Sequence, residues 1–250
     1  MKIALLITGH VRHIEKTAKS QIKNFIRIVN PDIFMTTWDK TNVEEVGIRL
    51  ERLGPIGRIE NLNYKKHIER YYGKWLTGVQ IYNYSKLSRI VKEEKKQLLD
   101  SVNEDFRDDV ERILTQYLLV HYGFKSIMIP SKYDIIIRIR PDMFIKDMFD
   151  INKFDVVLKK NRLLKHKDRY MIGTFDMMDV ALNVWEKLGW PINKISFESL
   201  YDSFLRQENI EYEEWSWNFT FVRGNIKTEE VVGSENLDFK PENINKKHLL

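Results

Sequence analysis

The stretch Tyr133-Asp134-Ile135-Ile136-Ile137-Arg138-Ile139-Arg140-Pro141-Asp142 constrains the fold more than any other. Tyr133 to Ile139 has the length of a strand and is apolar almost throughout. That is the pattern of a strand buried on both faces, as in a mostly parallel sheet covered by helices. Arg138 and Arg140 come where the apolar run gives out, and Pro141 ends any further ladder donation. Asp142 follows at the carboxyl end of the strand, the edge at which open α/β sheets bind ligands. Arg-x-Arg-Pro-Asp at that edge makes a poor core and a good anion or metal site. The competing reading is a solvated strand end with a fortuitous salt bridge. Because Asp142 lies past the buried strand, its replacement is expected to leave the fold intact.

Ile3 to Ile7 is a second buried-strand run, which breaks into Thr8-Gly9-His10-Val11-Arg12. Ile14, Ala18, Ile22, Phe25, Ile26 and Val29 then recur at three- and four-residue spacing, one face of a helix. Asn30-Pro31 ends it, and Ile33-Phe34-Met35 begins another strand that reaches Asp39. Strand, glycine turn, helix, strand is a βαβ unit with a right-handed crossover. Gly9 to Arg12, Asp39 and Asp142 therefore fall at one sheet edge.

Residues 40–84 give a weaker pattern. Tyr71, Tyr72, Trp75, Tyr82 and Tyr84 suit either a ligand cleft or the cover of an apolar patch. From Ser85 to Leu118 the helical period returns, as one long or two consecutive helices broken near Asn103. Gln116 and His121 lie near its end, where a structural role is the simpler one. Val156-Val157-Leu158 predicts a strand, 161–167 shows no period, and Asp168 to Thr174 predicts another strand. Met177, Met178, Ala181, Leu182 and Trp185 form a helical face. Phe197 to Leu205 predicts a helix and Trp217 to Arg223 a strand.

The chain has 250 residues, no cysteine and a formal charge of +5. A substantial core is within reach. Disulfides and thiolate chemistry are excluded, and a cytoplasmic location is expected. The charge excess suits an anionic small ligand. It is too small and too dispersed for a nucleic-acid-binding protein, which also lacks a recognisable motif here. No apolar run approaches a membrane span.

The turn at Gly9 is neither a Walker loop nor a dinucleotide fingerprint, and no nucleophile elbow or zinc-protease motif is present. What remains is a backbone turn that admits close approach at Thr8 and Gly9, a helix amino end, and Arg12, whose planar fork suits a diphosphate. Asp142 would hold a Mn²⁺ or Mg²⁺ ion bridging diphosphate oxygens. With Arg138 or Arg140 that cation would stabilise a departing nucleoside diphosphate. A second carboxylate would take the proton of an acceptor hydroxyl. This is the logic of a sugar-nucleotide glycosyltransferase.

The opening Ile3 to Arg12, the Asp32 to Trp38 strand and Tyr133 to Asp142 resemble glycosyltransferase-like proteins of bacterial surface-polysaccharide clusters and large DNA viruses. Asp168-Arg169-Tyr170-Met171-Ile172-Gly173 and the helix bearing Glu198 look like that family's downstream half. The resemblance implies an α/β fold of GT-A (Rossmann-like) type: a mostly parallel central sheet flanked by helices, with a helical insertion. It implies one domain over 1–250, with a variable insert at about 40–110 and a polar tail at 236–250. The implied donor is a nucleoside-diphosphate sugar and the acceptor a glycan. Asp142 is then the metal ligand, in the place of the usual Asp-x-Asp motif. Thr8, Gly9, Arg12, Asp39, Arg138 and Arg140 form the nucleotide site. Asp168 or Glu198 is the base, with Asp168 ranked first. Arg140 stands where the first aspartate of the metal motif would be, which leaves a metal-free enzyme open. A catalytically inactive nucleotide- or sugar-binding module of the same fold is the alternative, and a nucleic-acid-binding protein using the basic charge and the Tyr64 to Tyr84 aromatics is the less favoured third.

Overall fold

Strand β1, Ile3–Thr8, is buried at every position, and the rest of the sheet is laid down on its two sides. The structure, a computed structural model, describes residues 1–11, 13–39, 64–127, 129–187 and 197–221, with the backbone alone at 64, 130 and 197–200. Helix α1 (Ile14–Gln21) passes through a π turn at Ile22–Ile26 into α2 (Arg27–Val29). Strand β2 is Asp32–Trp38. Next come α3 (Tyr64–Tyr72), β3 (Leu76–Tyr82), α4 (Tyr84–Glu94), α5 (Lys96–Asp100) and α6 (Arg107–Lys125). Then follow β4 (Ile135–Ile139), β5 (Met143–Ile145), α7 (Lys153–Lys160), β6 (Leu163–His166) and β7 (Tyr170–Gly173). Helices α8 (Phe175–Leu182), α9 (Val184–Lys187) and α10 (Phe197–Gln207) precede the short strands β8 (Tyr212–Glu214) and β9 (Phe219–Phe221).

The sheet runs β3-β2-β1-β4-β7-β6-β8. β1, β2, β3 and β4 are parallel, β7 is antiparallel to both β4 and β6, and β8 is parallel to β6. Reversing only β7 leaves the carboxyl ends of β1, β2, β4 and β6 at one edge. It also brings the tight β6–β7 turn, with Asp168 in it, beside the end of β4. A two-stranded ribbon, β5 with β9, continues the chain just past Asp142.

Period-two alternation divides the core. Ile3, Leu5, Ile7, Ile135, Ile137 and Ile139 face α1, α3 and α7. Ala4, Leu6 and Ile136 face α6, α8 and α10. Arg138 shares the face of Ile136, and so does Thr8 with Leu6. The expected double burial of β4 is found: its residues are wholly inside. The helix break near Asn103 is also found; the Asn103 side chain accepts from the Asp105 amide at 3.0 Å.

Two expectations are corrected. Val156-Val157-Leu158 lies in helix α7, not a strand: Phe154 and Val157 bury one helical face while Leu158 is exposed. The supposedly patternless 161–167 contains β6, whose Lys165 is buried between Asp202 and Glu214 at 2.5 and 2.6 Å. Part of the stretch assigned to an insertion supplies α3 and the edge strand β3, in register with β2. The expected strand at Trp217 to Arg223 is seen as Phe219–Phe221; residues 222 and 223, like the tail, lie outside the described residues.

Helix α6 reaches the sheet through Gly123. A Cβ there would sit 2.8 Å from Thr8 Cγ2 and 3.2 Å from both Leu6 Cδ1 and Thr36 Cβ. Gly123→Ala gains helix propensity of about 1 kcal/mol but forces the helix off β1 and β2, at about 1–3 kcal/mol. The expected result is a net loss of stability, read as a lower denaturant midpoint in urea unfolding. An unchanged or raised midpoint would show that this contact yields without strain.

Candidate functional site

Three strand ends build the site. Alternation turns Arg138 into the α6–α10 face, where its side chain has no exposure. Its Nε donates to Thr8 Oγ1 at 3.0 Å, and its Nη1 donates to the Asp168 carbonyl. Arg138 Nη2 is buried without a hydrogen-bond partner among the described residues. Burial pulls this guanidinium below its ordinary pKa, against the opposing influence of Tyr201, Asp168 and Asp142. Only strong local need keeps a charge at such a place.

Arg140, two residues on, reaches the edge on the same face. Its Nε and Nη2 donate to Asp142 Oδ1 and Oδ2, both at 2.9 Å, a planar two-bond fork. Its Nη1 lies 3.3 Å from Asp168 Oδ2. The guanidinium also lies over the Phe221 ring, 4.8 Å from its centroid. Burial pulls the Arg140 pKa down, but the two carboxylates outweigh burial and hold it above its ordinary value. Gly9 lets the β1 turn approach: it sits at φ +132, and a Cβ would meet Pro141 Cδ at 3.3 Å.

Helix α1 pegs the Arg140 to Met143 turn. Gln21, fully buried, donates to the Met143 carbonyl at 2.9 Å and lies within 3.4 Å of the Arg140 and Pro141 carbonyls. Tyr72 donates to Gln21 Oε1 at 2.7 Å. Ser20 accepts from the Ile145 amide at 3.1 Å, and Asn24 donates to the Ile145 carbonyl at 2.7 Å. These polar residues were missed in the sequence; the available signal was the presence of Ser20, Gln21 and Asn24 beside a helix face that otherwise faces the core.

The structure thus brings together Thr8, Gly9, Arg138, Arg140, Asp142 and Asp168. Asp39 reaches the same edge, but its carboxylate accepts from the Tyr84 backbone N–H at 2.9 Å and from the side-chain Nδ2 of Asn83, the N-cap of α4, at 2.7 Å. Arg12 lies outside the described residues. Glu198 stands in the first turn of α10, and its side chain is likewise outside them. Tyr72 and Tyr84 are core residues, and Tyr82 stacks on Tyr122. His121 bonds Asn183 Oδ1 at 2.8 Å, the structural role. Arg169, not singled out in the sequence, donates to His166 Nε2 at 3.1 Å and lies over Phe219 and Phe221.

One expectation about Asp142 is corrected. It was expected to lie past the buried strand, where replacement leaves the fold intact, but at 1% exposure it is buried, and its removal strips a buried guanidinium of its fork. The donor set also fits a divalent cation poorly. Both Asp142 oxygens already accept from Arg140, and among the described residues no group of three His, Cys, Asp or Glu is placed to hold a metal ion. A cation brought to about 4 Å of the guanidinium would meet a repulsion of twice about 4 kcal/mol at an effective dielectric of about 20. No step below is routed through a cation at Asp142.

No protein-family model matches the sequence, and no curated protein does. Among solved structures, the fold is similar to mouse xyloside xylosyltransferase 1 in its apo form, at 9% identity, over 86% of this chain and 84% of that chain, with a TM-score of 0.43. No helix among the described residues is long and apolar enough to cross a membrane.

Asp142→Ala is expected to cost about 3 kcal/mol of stability, the low end for breaking a buried ion pair, because Asp168 still partners Arg140. The double variant Arg140→Met/Asp142→Ala should recover part of that loss, since no uncompensated guanidinium remains. Chemical denaturation of both variants measures this. A double variant less stable than the single one would mean that Asp142 acts on stability independently of Arg140.

Proposed function

We propose that the chain is a nucleotide-sugar-dependent glycosyltransferase that moves a sugar from a nucleoside-diphosphate donor to a hydroxyl of a growing glycan. One observation carries this reading: two arginines and two aspartates from separate strand ends meet at the carboxyl edge of a mostly parallel sheet. That edge is where such sheets take ligands, and arginines fork naturally onto phosphate oxygens. In this reading Arg140, together with Arg12, meets the negative charge that develops on the leaving diphosphate. Arg138 is too deeply buried to touch a donor. It positions Thr8 and the Asp168 loop instead.

Asp168 is the proposed acceptor-side base. Its carboxylate flanks Arg140 on the side away from the Asp142 fork, on a tight turn whose backbone is fixed by Arg138. Base catalysis needs an ionised carboxylate within reach of the acceptor hydroxyl. Glu198 is the substitute if Asp168 serves only Arg140. A second reading, a binding module without turnover, is favoured by the pairing of both carboxylates with Arg140, which leaves each aspartate already partnered.

Thermal-shift and calorimetric titration with UDP-, GDP- and dTDP-sugars, followed by a donor-turnover assay, tests the reading. Stabilisation by a nucleotide sugar with turnover supports the enzyme, and binding without turnover supports the module. Asp168→Asn preserves size and the carbonyl that holds Arg138. It is expected to bind donor normally while transfer falls roughly 10²–10⁴-fold. Parallel loss of binding and rate would move the base elsewhere.

A further inference from the structure

The arrangement around Arg140 has the form of a cation site with a guanidinium inside it. Two carboxylates from different loops, Asp142 and Asp168, converge on one positive group, and the backbone of each loop is independently fixed. We propose that Arg140 stands in the place of a divalent cation, so that the donor diphosphate is held by guanidinium N–H groups and its binding requires no metal. This rests on the glycosyltransferase reading for the identity of the ligand, but not for the claim about the metal.

The chemistry follows from what the guanidinium has left. Of its five N–H groups, three are taken: two by Asp142 and one by Asp168. The other two N–H groups bond nothing else among the described residues, and in this proposal they take phosphate oxygens while the carboxylates stay in place, just as a cation held by two carboxylates keeps further positions for a diphosphate. The charges agree too. Arg138 and Arg140 balance Asp142 and Asp168 two against two, the neutrality that a divalent ion would give with the same two carboxylates. The difference is permanence: a guanidinium is covalently attached and cannot be chelated away.

The experiment uses the full chain and two independent readouts. Mn²⁺ is titrated and followed by electron paramagnetic resonance, with wild type compared to Asp142→Asn. UDP and GDP are titrated by calorimetry in EDTA and again in MnCl₂. The expected results are no Mn²⁺ site that depends on Asp142, and nucleotide affinity that agrees within about twofold between the two buffers. Arg140→Met should then gain an immobilised Mn²⁺ that Arg140→Met/Asp142→Asn loses again. Its metal-free nucleotide affinity should fall roughly tenfold to hundredfold. If wild type immobilises Mn²⁺ and Asp142→Asn releases it, or if nucleotide binds only with Mn²⁺, the proposal is overturned. A folded Arg140→Met that gains no Mn²⁺ site would overturn it as well. Should Arg140→Met fail to fold, the wild-type and Asp142→Asn titrations decide alone. If neither nucleotide binds in either buffer, the glycosyltransferase reading falls while the Mn²⁺ titration still tests the metal claim.

Discussion

The fork between Arg140 and Asp142 is the interaction on which the rest of the site depends. A guanidinium that is largely withdrawn from water must be matched nearly donor for donor, or it destabilises whatever encloses it. Asp142 supplies two matched acceptors and Asp168 a third. Arg138, more deeply buried, takes the Thr8 hydroxyl and the Asp168 carbonyl. Each partner comes from a different part of the chain. The two arginines therefore draw the ends of β1 and β4 and the β6–β7 turn into one place. Reversal of β7 is what makes this possible, because it folds the Asp168 turn back beside β4.

Such charges hold their geometry only if the backbone beneath them does. Gln21 bonds the turn that carries Asp142, Tyr72 fixes Gln21, and Ser20 and Asn24 secure the strand that follows. On the opposite face, Gly123 lets α6 lie against β1 and β2. The site is thus braced from both layers of helix, and its rigidity comes from buried side-chain to backbone bonds more than from the ion pairs. An ion pair alone would tolerate drift that a carbonyl bonded at 2.9 Å would not.

The central architecture was legible because buried strands advertise themselves. The runs at Ile3, Ile33 and Ile135 are continuously apolar, the last of them all isoleucine, and the helix from Ile14 keeps a clean period. Edge elements were less visible. Leu76–Tyr82 is half-buried and mixes Thr, Gly and Gln among apolar residues, so neither period dominates. Leu163–His166 was hidden by Lys165, which reads as solvated until Asp202 and Glu214 are seen around it. Val156-Val157-Leu158 resembled a strand because two β-favouring valines and a leucine say little about period; only Phe154, one turn earlier, marks the helix. At the site, the residue types at the strand ends were readable. Their pairing was not, since no local pattern tells that Arg140 reaches both Asp142 and a turn some thirty positions away.

That pairing changes what the motif means chemically. Read along the chain, an aspartate after a strand is a ligand waiting for a cation. In three dimensions it is one half of a fork, and its charge is already spent. On the proposed reading, a diphosphate entering here would meet a cluster that is neutral among the described residues, so long-range attraction from it would contribute little. Binding must come from directed N–H bonds at close range, or from cations outside the cluster such as Arg169, whose guanidinium is partnered by a neutral-leaning His166: burial first, and then Arg169 itself, lower that imidazole's pKa. Directed bonds favour a ligand of defined shape over a merely anionic one. The same balance helps hold the cluster when no ligand is bound, because both carboxylates already accept from Arg140. Selectivity for shape, on the proposed reading, and stability without ligand would then share one physical cause, the two-against-two balance at the end of β4.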